Sequence, residues 1–252
     1  MQVYDFGSLA PMRAGGGRDT LAFMRFSKTM AAAAFAVTFL ATLAYPQTPA
    51  AKADAPPPNF SLTGDRFKPL AWDGMTPEQK SMIRHILAGD RKNLGGPFNI
   101  LLRSPEMGSL ASDFGQQARF HSSLPARLNE LAIIITARFW TVQFEWNAHR
   151  RAAAQAGVSE DTIQAIANGK RPAKLAPDET AVYNFATELL KNHSVSDATF
   201  AAAKNTLGER GVVDMIAVMG YYQLVGMLMD VDRYPLPAGT EPELKPLAQL
   251  IP

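Results

Sequence analysis

Residues 125–157 read PARLNELAIIITARFWTVQFEWNAHRRAAAQAG. A proline opens the stretch, a glycine closes it, and Leu128, Leu131, Ile135, Phe139, Val142 and Trp146 follow one another at intervals of three or four residues. That is the period of an α-helix, and a proline start with a glycine stop is its usual punctuation. The stretch therefore predicts one long helix over 126–156. Its β-branched run Ile133-Ile134-Ile135-Thr136 admits a break near Thr141, because such side chains crowd the preceding helical turn.

Outward from this stretch the punctuation repeats. Thr76-Pro77-Glu78-Gln79 combines an N-cap, a proline at the first helical position and a Gln three residues past the cap, which predicts a helix over 77–88 stopped by Gly89. Gly95-Gly96-Pro97 breaks the chain, Phe98 to Arg103 reads as a short helix before Pro105, and Gly108 to His121 as a further one. Ser159 caps a helix to Asn168, and Asp178 to Asn192 is another. Ser196 caps one to Leu207, stopped by Gly208, and Val212 to Met229 is apolar enough to be buried on most sides. No segment alternates with period two. The expected architecture is all-α, one domain over 66–238, with a Pro-rich linker over 54–65 and a Pro-rich tail over 239–252.

Charge excludes one class of partner. The 252 residues carry 25 Lys+Arg against 23 Asp+Glu, with a pI near 8.8. Residues 1–53 hold five of the basic groups and two of the acidic ones, which leaves 20 against 21 from residue 54 on. The remainder is close to neutral and has no run of clustered Lys or Arg, so binding nucleic acid is not expected. Cysteine is absent, which excludes disulfides, thiolate nucleophiles and cysteine-ligated metals.

The N-terminal 53 residues have the parts of a secretory signal. Arg25 and Lys28 precede the apolar run Met30 to Tyr45, and Ala51-Lys52-Ala53 offers a small-residue cleavage site. The expectation is an exported domain, periplasmic or secreted, released after Ala53; an uncleaved run would tether the same domain outside the membrane. Translation from Met24 would give a signal of ordinary length, so 24–53 is the core of that reading.

Chemistry is sought where ionisable groups interrupt apolar helices. Counted at about 100° per residue from Glu130 on a straight helix, Arg138 falls near 80°, Glu145 near 60° and His149 near 100°. Glu145 and His149 are one turn apart, and a hydrogen bond between them would orient the imidazole for proton transfer. The same i, i+4 pair is common on solvated helix faces, where it does nothing chemical. Arg119 and His121 precede Ser122-Ser123-Leu124-Pro125 and could face the same cavity, as could Tyr222; each is equally ordinary as a surface or core residue. His85, His121 and His193 lie in unconnected segments, so no metal site is expected.

In chain order, Gly96-Pro97-Phe98-Asn99, Leu101 to Glu106, Arg119 to Leu124, Glu130 to Ile133, Ala137 to Trp140, Gln143 to Trp146 with His149, and Gly220-Tyr221-Tyr222 resemble the carboxymuconolactone decarboxylase family. The resemblance implies an all-helical fold assembled as trimers or hexamers. In the family's alkylhydroperoxidase-like branch a CxxC pair reduces peroxide; aligned on Glu130 and His149, the cysteine positions fall on Val142 and Glu145, which favours the decarboxylase branch. That branch implies cofactor-free decarboxylation of a small carboxylated lactone. Arg138 and Arg119 would meet the carboxylates, His149 oriented by Glu145 would move the proton, and Glu130 would set the charge balance. His121, Trp146 and Tyr222 would complete substrate binding. Asp230 stands where the family pattern usually has Asn, and the known pathway is intracellular, so an exported member would meet a different acid or lactone. A non-catalytic oligomeric binding protein of the same fold, and a cysteine-free peroxidase-like member, are the alternatives.

Overall fold

The computed structural model describes residues 54–247; the leader and signal region over 1–53 and residues 248–252 lie outside the described residues. Among the described residues there are eight α-helices, one short 3-10 turn and no strand, so the all-α class read from the sequence holds.

The first helix, α1 (Pro77–Ala88), begins as the sequence requires: the Thr76 hydroxyl accepts from the Gln79 N–H, and the Gln79 side chain accepts from the Thr76 N–H. After the single turn α2 (Phe98–Leu101) comes α3 (Pro105–Phe120), which starts at Pro105 and not at Gly108. Gly108 is interior to α3, where a Cβ would lie 2.5 Å from the Met82 side chain. That glycine marks close packing of α1 on α3, not a helix boundary.

The long helix expected over 126–156 is two helices, α4 (Ala126–Trp140) and α5 (Gln143–Gln155). Thr141 takes left-handed backbone angles (φ 59°), and the Thr141 and Val142 N–H groups donate to the Arg138 and Ala137 carbonyls to close α4. This is the αL termination usually given to glycine. Next come α6 (Glu160–Ala167), α7 (Pro177–Asn192) and α8 (Asp197–Asp232), the last kinked at Gly208 (φ 71°, ψ 170°) where the sequence expected a stop. By length and composition α8 resembles a membrane span, yet half of its most apolar window is buried inside the protein.

The central element is α4, which packs against α5, α7 and α8. Leu131, Ala132, Ile133 and Ile134 are all fully buried, so consecutive residues leave no face of this turn to water. Burial of each large aliphatic side chain contributes about 1.5–3 kcal/mol, enough to override the weak helix propensity of the β-branched run. A smaller core under α1, α2 and α3 contains Trp72, Met82, Phe98 and Leu102.

The segments flanking 66–238 pack on this body. Asp54 accepts from the Trp72 indole N–H through its carbonyl and pairs with Arg84 and Lys80 through its carboxylate. At the other end Leu244 is buried, and its backbone N–H and carbonyl are both bonded by the Gln143 side chain, at 3.1 and 2.7 Å. Asp232 ties the segment before α1 to the end of α8. Fully buried at the unfavourable end of α8, its carboxylate accepts from the backbone N–H groups of Asp65 (3.2 Å) and Phe67 (2.7 Å), and its carbonyl accepts from that of Arg66.

Candidate active site

Because α4 is enclosed, its charged side chains must be accommodated by protein. Glu130 is met by His149 of α5, whose Nδ1 lies 2.7 Å from the Glu130 carboxylate; both side chains are nearly buried. On one straight helix these residues, 19 apart, would be about 28 Å from each other. The left-handed residue Thr141 ends α4 and lets α5 pack back on it, and that turn creates the pair.

The pair borders a cavity of about 250 Å³. Beside His149 its wall takes Glu145 and Phe144 from α5, Arg119 from α3, Tyr221 and Tyr222 from α8, and Arg91 from the loop after α1. The Tyr222 ring stands edge-on to the imidazole, 4.8 Å between centroids, and Tyr221 stands edge-on to Tyr222 at 5.3 Å. Gly115 of α3 admits Tyr221, since a Cβ there would lie 2.1 Å from the ring. Gly96 (φ +82°) carries the loop past the cavity, with its N–H donating to the Tyr234 hydroxyl at 3.0 Å.

Electrostatics shift His149 and Glu145 in opposite directions. Burial pushes the His149 imidazole below its ordinary value; the hydrogen bond and charge of Glu130 oppose the shift, while Arg119 and Arg91 add to it. The imidazole is thus neutral near pH 7, and with its Nδ1–H donating to Glu130 its Nε2 carries the basic lone pair. Glu145 is buried too, and neither carboxyl oxygen has a hydrogen-bond partner. Burial first, and the nearby Asp230 carboxylate second, hold its pKa well above the ordinary carboxylate range. One side of Glu145 rests against α8 at Gly226, where a Cβ would lie 3.3 Å from its carboxyl oxygen. Arg91 and Arg119 form no ion pair among the described residues; their guanidinium groups lie over aromatic rings, Arg91 over Phe98 at 5.0 Å and Arg119 over Phe120 at 5.1 Å.

Several sequence expectations are corrected by this geometry. The partner of His149 is Glu130, not Glu145, because the break at Thr141 removes the straight stripe on which Glu145, His149, Arg138 and Glu130 were aligned. Arg138 does not border this cavity: its Nη2 donates to the Lys245 carbonyl at 2.6 Å and it lines a separate cavity. Trp146 is buried with its indole N–H donating to Glu243 at 3.0 Å, and is not in the cavity wall. His121 is half-exposed and pairs with Asp90 at 2.8 Å. Of the expected residues, Glu145, His149, Arg119 and Tyr222 line the cavity and Glu130 anchors its imidazole. Arg91 was missed, since an arginine in a loop well before the long helix carries no sequence signal for this site.

The model of the carboxymuconolactone decarboxylase family matches residues 105–188, from the start of α3 into α7. The matched segment is a third of the chain and is similar to the carboxymuconolactone decarboxylase family. The matched segment supplies Arg119, Glu130, Glu145 and His149, whereas Arg91, Tyr221 and Tyr222 come from outside it on either side. A comparison with curated proteins finds no match to the chain.

Proposed function

We propose that the cavity at His149 binds a small carboxylated lactone and decarboxylates it without a cofactor. The observation that carries this reading is the placing of two arginines, without carboxylate partners among the described residues, beside the Glu130-held imidazole of His149 and the buried, unbonded carboxyl of Glu145 in one small cavity. Arg91 and Arg119 offer charge-assisted bonds to an anionic substrate and to negative charge that develops on the lactone oxygen. When the bond to the carboxylate carbon breaks, its electron pair passes into the unsaturated ring and carbon dioxide leaves. The resulting dienolate carbon takes the proton of the Glu145 carboxyl, and the Glu145 carboxylate is reprotonated from solvent. His149, its orientation set by Glu130, relays that proton from solvent to Glu145 through Nε2. Tyr221 and Tyr222 close the apolar side and keep water from the developing charge.

The reading is tested by incubating the purified protein with 4-carboxymuconolactone and following carbon dioxide. Substrate-dependent release is expected, with kcat reduced by about a hundredfold or more in His149→Ala and KM raised in Arg119→Met. Binding of the lactone with no release would leave a non-catalytic binding protein. With no cysteine in the chain, reduction of organic peroxide by a thiol is not expected.

The basic, apolar and small-residue order of residues 25–53 supports export, with the mature chain starting at Asp54. Self-association is supported by apolar side chains left in water: Met107, Leu110 and Phe114 on α3, and Val213, Ile216, Met227 and Val231 on α8. On each helix they recur at helical spacing, the pattern of a face that meets another protein surface, and a trimer or hexamer of this chain would cover it.

A further inference from the structure

Arg138 is only 4 % exposed, and its Nε is buried with no hydrogen-bond partner. Its remaining contacts are with neutral acceptors, the Lys245 carbonyl at 2.6 Å and the Thr141 hydroxyl at 3.4 Å. A buried guanidinium stays ionised, and leaving it without a counter-charge is costly. It lines a cavity of about 370 Å³ between α4, α6 and α7, within the size range of small-molecule sites. The floor is apolar, made by Ile135, Phe139, Ile166 and Leu190, with Leu247 of the tail on one side. The other charged side chains in the wall are Lys170 and Lys191, both exposed at the rim, and among the described residues no Asp or Glu lines it. The remaining titratable group, Tyr183, is held above its ordinary value, first by burial, and is therefore neutral near pH 7.

We propose that this second cavity binds an amphipathic monocarboxylate, with the acid group on Arg138, the apolar chain against Ile135, Phe139, Ile166 and Leu190, and Lys170 and Lys191 drawing the anion in. Three cations with no acid among the described lining residues select for an anion, and the floor selects for an apolar body. A buried cation awaiting its counter-charge distinguishes the site from an ordinary surface hollow. The site is separate from the His149 cavity and does not depend on the reaction assigned there.

Titration calorimetry of the purified full chain with decanoate, against decanol, tests the proposal. Decanoate is expected to bind about tenfold or more tightly than the alcohol, the worth of one charge-assisted bond. Arg138→Met should lose about the same factor. Because Arg138 also holds the tail, Lys170→Glu/Lys191→Glu, which alters only exposed side chains, is the second variant; it should weaken decanoate severalfold at low salt and leave decanol unchanged. Equal affinity for acid and alcohol, unchanged decanoate affinity in the double variant, or no decanoate binding up to about millimolar concentration would each overturn the proposal.

Discussion

Glu145 sits in an environment unlike that of an ordinary carboxylate. Its carboxyl is buried against α8 with no hydrogen-bond partner, and burial raises its pKa well above 4.5. The folded chain therefore holds a proton that the unfolded chain gives up, so the contribution of this group to stability is greatest below about pH 4.5 and declines as pH rises toward the raised folded value. The loss is about 1.4 kcal/mol per pH unit across that interval. Glu145→Gln keeps the shape and removes the ionisation, so its denaturation midpoint should exceed the parent's at neutral pH, with the advantage vanishing near pH 4; equal slopes of stability against pH in the two proteins would contradict this. His149 shifts the other way, below its ordinary value. Turnover that needs neutral His149 and protonated Glu145 should give a bell-shaped profile, its acid limb below the usual imidazole range and its basic limb above the usual carboxylate range. In His149→Ala the acid limb should disappear from whatever rate remains.

Two helix interruptions shape the elements. At Gly208 the backbone has φ 71°, which glycine adopts freely and other residues adopt at a cost. A Cβ there meets nothing within 4 Å, so Gly208→Ala is a test of backbone strain alone and should destabilise by about 1–2 kcal/mol in urea unfolding. Thr141 has φ 59° with a β-branched side chain, the same kind of strain already present. Thr141→Asn should raise stability by about 1 kcal/mol, since Asn tolerates the left-handed region. Both interruptions had a trace in the sequence, though of different quality. Gly208 was a plain helix stop, and α8 differs only in resuming at once. At Thr141 the apolar period ran on through Val142 and Trp146 without a fault, because buried residues of both helices face one core, and nothing in the spacing marked the reversal.

At the scale of the molecule, the exposed apolar stripes on α3 and α8 are the main surface feature. If copies of the chain cover them, the purified protein should sediment as an oligomer, and Leu110→Glu/Ile216→Glu should release folded monomers with unchanged helicity by circular dichroism. A parent protein that sediments as a monomer would remove the basis of that assembly. The same scale explains where the sequence reading of the site fell short. His149, Glu145, Arg119 and Tyr222 were legible as polar or aromatic groups in apolar helices, and they do meet at one cavity. Their mutual arrangement was not legible, since it depends on α5 turning back onto α4 and on a loop arginine entering from 28 residues before Arg119.

The sequence by itself determined that the chain is helical, where most helices begin and end, that no thiol chemistry is available, and which family its central segment resembles. These follow from local rules: helical period, caps, and composition. Only the tertiary structure decided that Glu130 holds His149, that Glu145 is buried without a hydrogen-bond partner, and that Arg138 belongs to a second cavity. Those properties depend on distance and dielectric between residues far apart in the chain, and a single left-handed residue at Thr141 was enough to rearrange all three.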